Sequence, residues 1–194
     1  AQSPLLEAFR ERSLEVLYLG DPVDEWVVNA LPEFDNKRLK AIDDEDLDLG
    51  DKKVKLEGVE EYKEQTIELL DFLKKELAER VSDVKESTRL TGSPCVLVTP
   101  KGGMSRNIER LMQAADREFE ATKRLLEINP THAIIRNMGE ILTKNRDAEE
   151  LREWAHLLVD YVLIGEGTVS EPQQVTKTLS KVLAAATELR VKDL

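Results

Sequence analysis

Two histidines, one cysteine and six acids packed between Asp43 and Asp51 are the residues of this chain that could carry metal, nucleophilic or acid–base chemistry. Their spacing argues against all three. His132 and His156 are not placed as a metal pair, and no cysteine cluster joins them. His132 closes the turn Asn129-Pro130-Thr131-His132 ahead of an apolar helix, which suits a capping or surface residue. His156 stands one helical turn from Asp160 and reads as solvent-facing. Cys95 lies in the apolar run Pro94 to Val98, where a cysteine is a small core residue. A lone thiol excludes an internal disulfide and fits a reducing compartment. The acidic run is a hinge or linker; the sharper alternative, a calcium loop, lacks the central Gly and terminal Glu of an EF-hand. No Walker A loop, dinucleotide glycine fingerprint or Gly-x-Ser-x-Gly elbow is present. No catalytic residue, cofactor site or metal site is expected.

What stays distinctive is apolar. Met104, Ile108, Leu111 and Met112 follow Gly102-Gly103 at i, i+4, i+7 and i+8, so they share one helical face. Trp26 follows Asp24-Glu25 on a short helix. Both features have core packing as the plain alternative. Methionine is flexible and polarisable, which suits a surface that accepts many partners. Four such side chains buried on a partner would contribute roughly 6–12 kcal/mol before ordering costs. Fixing a mobile hinge takes back much of that, so weak and unselective binding is expected.

The elements that must carry these residues follow from pattern. Helix is expected from Pro4 to Arg12 and strand from Glu15 to Leu19. Asp21 and Pro22 start a helix bearing Val23, Trp26, Val27 and Ala30 that stops before Pro32. A short strand fits Leu39 to Ile42. Val59, Tyr62, Ile67, Leu70, Leu73 and Leu77 mark one long amphipathic helix. Strands fit Val81–Thr88 and Cys95–Thr99; helices fit Met104 to Phe119 and, capped by Asn129 or Thr131, Ala133 to Leu142. Residues 120–126 have no clear pattern. Asp147 caps a helix with Leu151, Trp154, Leu157, Leu158, Tyr161, Val162 and Ile164. After Gly165-Glu166-Gly167-Thr168, a last helix carries Val175, Leu179, Val182, Leu183 and Leu189 on one face. This hairpin has two apolar stripes to bury, either on the chain's own sheet or against a second copy in a four-helix bundle.

Composition narrows the partners. The chain is 41% hydrophobic but 5% aromatic, so aliphatic side chains carry the core. A net charge of −11 repels phosphate backbones and anionic membranes, so neither nucleic acid nor membrane is an expected partner. No apolar run approaches the ~18 residues of a membrane span. The opening Ala1-Gln2-Ser3-Pro4 has neither initiator Met nor signal pattern and reads as a piece of something longer.

Five colinear motifs then become informative: Leu14–Leu19 with Asp21–Trp26; Leu31-Pro32-Glu33-Phe34-Asp35; Arg89-Leu90-Thr91-Gly92-Ser93-Pro94-Cys95; Met104-Ser105 with Glu109-Arg110-Leu111-Met112; and Leu126 to His132. Together they make nearly the whole chain resemble the heat-shock protein 90 chaperone family, in its bacterial form. The resemblance implies an α/β (α+β) fold: a small mixed sheet with flanking helices, and a C-terminal hairpin forming a four-helix bundle across a homodimer. Residues 1–50 would end the middle domain and 51–194 would form the C-terminal dimerisation domain. Client protein would be met by Trp26 and Asn29 and, on the 102–119 segment, by Met104, Ile108, Leu111 and Met112. Leu151, Trp154, Leu158, Tyr161, Val162, Val175, Leu179, Val182 and Leu183, within 147–190, would line the dimer interface. Partners would be a second copy, unfolded or partly folded clients and other chaperones. The nucleotide site lies upstream in the family, so ATP and Mg would belong to the full-length cytoplasmic protein and this stretch would not be an enzyme. The acidic pentapeptide tail of eukaryotic members is missing, so tail-dependent cochaperones are not supported. A purely structural dimerisation module is the alternative.

Overall fold

The computed structural model describes residues 3–21, 23–49, 63–106, 108–109, 112 and 122–192. A single 3-10 turn, Pro4–Leu6, leads into α1 (Glu7–Glu11). Then come α2 (Asp24–Ala30), β1 (Glu33–Phe34), β2 (Lys37–Arg38), α3 (Lys63–Glu76), β3 (Val84–Glu86), β4 (Cys95–Val98) and β5 (Leu125–Ile128). The chain ends in α4 (Ala133–Lys144), α5 (Glu149–Glu166) and α6 (Pro172–Lys192). These elements bear out an α/β chain with small mixed sheets.

The main sheet has the order β3-β5-β4, with β3 parallel and β4 antiparallel to β5. Strand alternation splits the core in two. Cys95 and Leu97 of β4 and Leu126 and Ile128 of β5 face Leu69, Leu73 and Leu77 of α3, Ile135 and Met138 of α4, and Leu151, Ala155 and Leu158 of α5. Val96, Val98 and Leu125 face the other way, onto Leu5, Leu90 and half-buried Ile42. The N-terminal turn thus covers one face and three helices cover the other.

The central strand is the element that pattern failed to find. Glu127 interrupts its apolar run, yet all four residues of β5 are buried. A carboxylate can sit there because Arg89 neutralises it, and that partner is distant in sequence. In α3 the buried face runs through Thr66, Leu69 and Leu73, with Leu70 half-buried. Ile67 points to solvent, and the expected Val59 and Tyr62 lie outside the described residues. Residues 15–19 form no strand: no neighbouring strand among the described residues offers them a ladder, and Leu17 and Tyr18 are each 71% exposed. Leu39–Ile42 also lacks a ladder. The pairing falls earlier, in a β1–β2 hairpin registered Phe34↔Lys37. Its loop residues Asp35 and Asn36 both have positive φ, 49° and 58°, as a two-residue type I′ turn requires.

Three expected caps also move. Asp21 does not cap α2; its backbone N–H donates to Asp24 Oδ2 at 2.9 Å. Pro22 lies outside the described residues. Ala148, not Asp147, occupies the N-cap of α5 and makes no side-chain cap bond. His132 caps α4, its Nδ1 accepting from the Ile134 N–H at 3.2 Å. Asn129 instead turns the chain just before it, its Oδ1 accepting from Thr131 N.

Candidate functional site

The segment after β4 opens on a closed turn rather than a loose hinge. The Gly103 N–H donates to Pro100 O at 2.8 Å, and Gly102 between them sits at φ +73°, open to glycine and strained for other residues. A Cβ on Gly103 would fall 2.8 Å from Pro100 O, so that glycine is required by close approach. Helix follows at once: the Glu109 N–H donates to Ser105 O at 3.0 Å. Met104 is 37% and Met112 42% exposed, Ile108 is half-buried, and Leu111 lies outside the described residues. Glu109, on the inner side, is buried, and its Oε1 accepts from Thr122 N at 3.0 Å. Trp26 is 68% exposed on α2, with Asn29 exposed one turn later. Core packing, the plain alternative for Trp26, is thus not what the described residues give.

The hairpin α5–α6 divides between two duties. Leu151, Leu158 and Val162 are buried and join the protomer's own core, with Trp154 packed half-buried against it. Val175 is buried as well. Tyr161, Ile164, Leu179, Leu183, Leu189 and Val191 remain exposed, and Val182 is half-buried. The turn between the helices is a Schellman motif: Gly167 has φ +67° and donates to Ile164 O, while Thr168 donates to Leu163 O.

The acidic run is docked rather than free. Thr99 N donates to Asp43 O at 2.8 Å, Glu45 N donates to Thr99 O at 3.0 Å, and Lys85 and Lys101 pair with Glu45 and Asp46. The bonds from Lys85 and from the Lys101 N–H hold the Glu45 carboxyl below its usual range. No cluster of His, Cys, Asp or Glu suited to a metal occurs among the described residues. A polar groove of about 430 Å³ lies between α3 and α4, lined by Gln65, Arg136, Asn137, Glu140, Thr143 and Lys144. Its Glu140 and Lys144 are tied to each other at 2.6 Å, so it presents no poised acid–base pair. Cys95 is buried, and burial pushes its thiol up to about 12. His156 is partly buried beside Glu76, 3.5 Å away. No described helix is long and apolar enough to cross a membrane.

Three polar networks escaped the sequence reading: Arg89 with Glu127, Glu7 with the 91–93 backbone, and Glu166 with Arg106 and Arg124. The one available signal was a charged residue inside an apolar run, at Glu127.

Fold and surfaces together define, among the described residues, an α/β chain whose distinctive feature is exposed apolar side chains on helices. Residues 1–193 match the family model "Hsp90 protein", and the chain belongs to that family. Among its relatives is the Chaperone protein HtpG of Geobacter sulfurreducens, 40% identical over 188 residues, which cover 95% of this chain and 29% of the relative. That of Magnetococcus marinus is 40% identical over 190 residues, covering 94% and 29%. That of Myxococcus xanthus is 36% identical over 192 residues, covering 97% and 29%. The chain thus spans under a third of the length of these relatives.

Proposed function

We propose that this chain is the dimerisation and client-binding part of an HtpG-type chaperone, with residues 1–50 closing its middle domain and 51–194 forming its C-terminal domain. The observation that carries the reading is the exposure of large apolar side chains: Leu179 and Leu183 on α6, Trp26 on α2, Met112 on the helix after β4, and Met104 just ahead of that helix. Exposed apolar area on this scale is costly unless a partner covers it. A second copy fits the hairpin, since a two-fold contact uses the same stripe twice. Unfolded or partly folded client fits the methionines and Trp26 with Asn29, because mobile thioethers and a flat indole accommodate varied sequences. Nucleotide binding and hydrolysis, with ATP and Mg, belong to the rest of the cytoplasmic protein, which could also meet other chaperones.

Light scattering tests the first half. The chain should run at twice its 22.0 kDa mass, and a monomer at micromolar concentration overturns the reading. Suppression of client aggregation tests the second. Met104→Ser with Met112→Ser should weaken suppression and leave the dimer intact. Full suppression by that variant would leave a structural dimer module instead.

A further inference from the structure

Glu166 is the last residue of α5, directly before the Gly167 turn of the hairpin. A carboxylate there opposes the helix dipole and needs cations to hold it. It has two. Arg124 grips it with both guanidinium arms, Nη1 to Oε1 at 3.0 Å and Nη2 to Oε2 at 2.8 Å. Arg106 reaches the same Oε1 through Nη1 at 3.0 Å. All three side chains are largely shielded from water, so salt screens them less than a surface pair. Arg124 is itself fixed, since its carbonyl accepts from Ser82 N beside β3. Arg106 sits between Met104 and Ile108, at the base of the apolar segment. One carboxylate therefore joins the sheet, the hairpin turn and the methionine-bearing segment.

We infer that Glu166 is a positioning residue: through Arg106 it sets where Met104 and Ile108 stand relative to the hairpin, and so couples client contact to the dimer helices. This rests on the client reading above, but the tether itself can be measured without a client. A second anchor stands one helical turn on from Arg106, where Glu109 Oε1 accepts from Thr122 N at 3.0 Å.

The test compares the full chain with Arg106→Gln, Arg106→Lys and Glu166→Gln. Arg106→Gln leaves the Arg124 pair intact, so the fold should survive even if Glu166→Gln unfolds it. Hydrogen exchange at the Ile108 and Glu109 amides should rise about tenfold in Arg106→Gln, as expected for losing one partly buried charge-assisted contact, and Arg106→Lys should recover part of the protection. Wild-type exchange at these amides should speed up with added salt, and that of Arg106→Gln should not. Binding of fluorescent, reduced and carboxymethylated α-lactalbumin should change in Arg106→Gln while the dimer constant holds. Unchanged exchange and unchanged salt response would overturn the tether. If exchange rises but the probe binds all variants alike, including Met104→Ser/Met112→Ser, the tether stands, and both the client reading and the coupling are overturned.

Discussion

Arg89 and Glu127 form a buried ion pair at 3.0 Å, each side chain 2% exposed, on the face of the central strand opposite the helical core. Arg89 does more than neutralise Glu127. Its two Nη atoms also donate to the carbonyls of Ile42 and Asp44, each at 2.9 Å, while Ser87 Oγ donates to Glu127 Oε2 at 2.8 Å. The pair therefore makes a polar strand position tolerable and fastens the acidic run to the sheet.

Arg89→Met should lower unfolding free energy by about 3–5 kcal/mol, because it strands a buried carboxylate and two carbonyls. Glu127→Gln keeps a hydrogen-bonding group of the same shape and should cost less. Against a typical total of about 5–15 kcal/mol, the first change brings the chain near the edge of folding. Urea unfolding of both variants checks the order; an Arg89→Met chain as stable as wild type would remove the pair's structural role.

Glu7 ties α1 to the loop after β3. Its Oε2 accepts from the N–H groups of Thr91 and Gly92, each at 2.8 Å, and from Ser93 N at 3.2 Å. Burial pushes its carboxyl up, but the bonds from Gly92, Ser93 and Thr91 outweigh burial and bring it below the usual 4.5. A carboxyl lowered on folding adds stability above its unfolded value and loses it as pH falls through the folded one. Glu7→Gln should therefore be less stable than wild type by about 1 kcal/mol at pH 7, with solvent screening keeping the figure small. That gap should be constant down to about pH 5 and close below pH 4.5. A gap that widens on acidification would contradict the assignment.

How much of this was legible follows from what each residue depends on. The helices α3 to α6 and strand β4 announce themselves through local periodicity, which needs no partner. Strand β5 does not, because Glu127 is acceptable there only after Arg89 has come from a separate loop. The same holds for the Arg106 tie: nothing near Glu166 in sequence points to Arg106. Residues 15–19 fail in the opposite sense. Their composition is that of a strand, but a ladder is a property of two segments, and the described residues supply no second one. The exposed state of Trp26 was legible only through family resemblance, since an isolated tryptophan pattern favours a core.

Cys95 offers a probe of opening. Its thiol is buried among Leu97, Ile128 and Leu158, donates to Leu158 O at 3.4 Å, and is pushed up to about 12 by burial. Thiolate is the reactive form, so at pH 8 the folded chain should resist an aromatic disulfide reagent and react promptly in denaturing urea. The native rate should track unfolding free energy across the Arg89 and Glu7 variants. Rapid labelling of the folded chain, with stability unchanged, would show that the helical layer over β4 opens locally.

The hairpin buries some of its apolar residues within the protomer and leaves others exposed. Val175 is buried in the protomer, so Val175→Ala should lower monomer stability by about 1–2 kcal/mol whatever the oligomeric state. Leu183 is 64% exposed in the protomer and Leu179 39%, so Leu179→Ser with Leu183→Ser should hardly alter protomer stability, within about 0.5 kcal/mol per site. If a second copy covers them, the same double change should weaken the dimer at least tenfold, through loss of about 1.5 kcal/mol or more of apolar burial. Dilution series by light scattering, read beside urea curves above the dissociation concentration, separate the two effects. A double variant that dimerises as wild type does would place the interface elsewhere on the chain, and the exposed stripe of α6 would then need a different occupant.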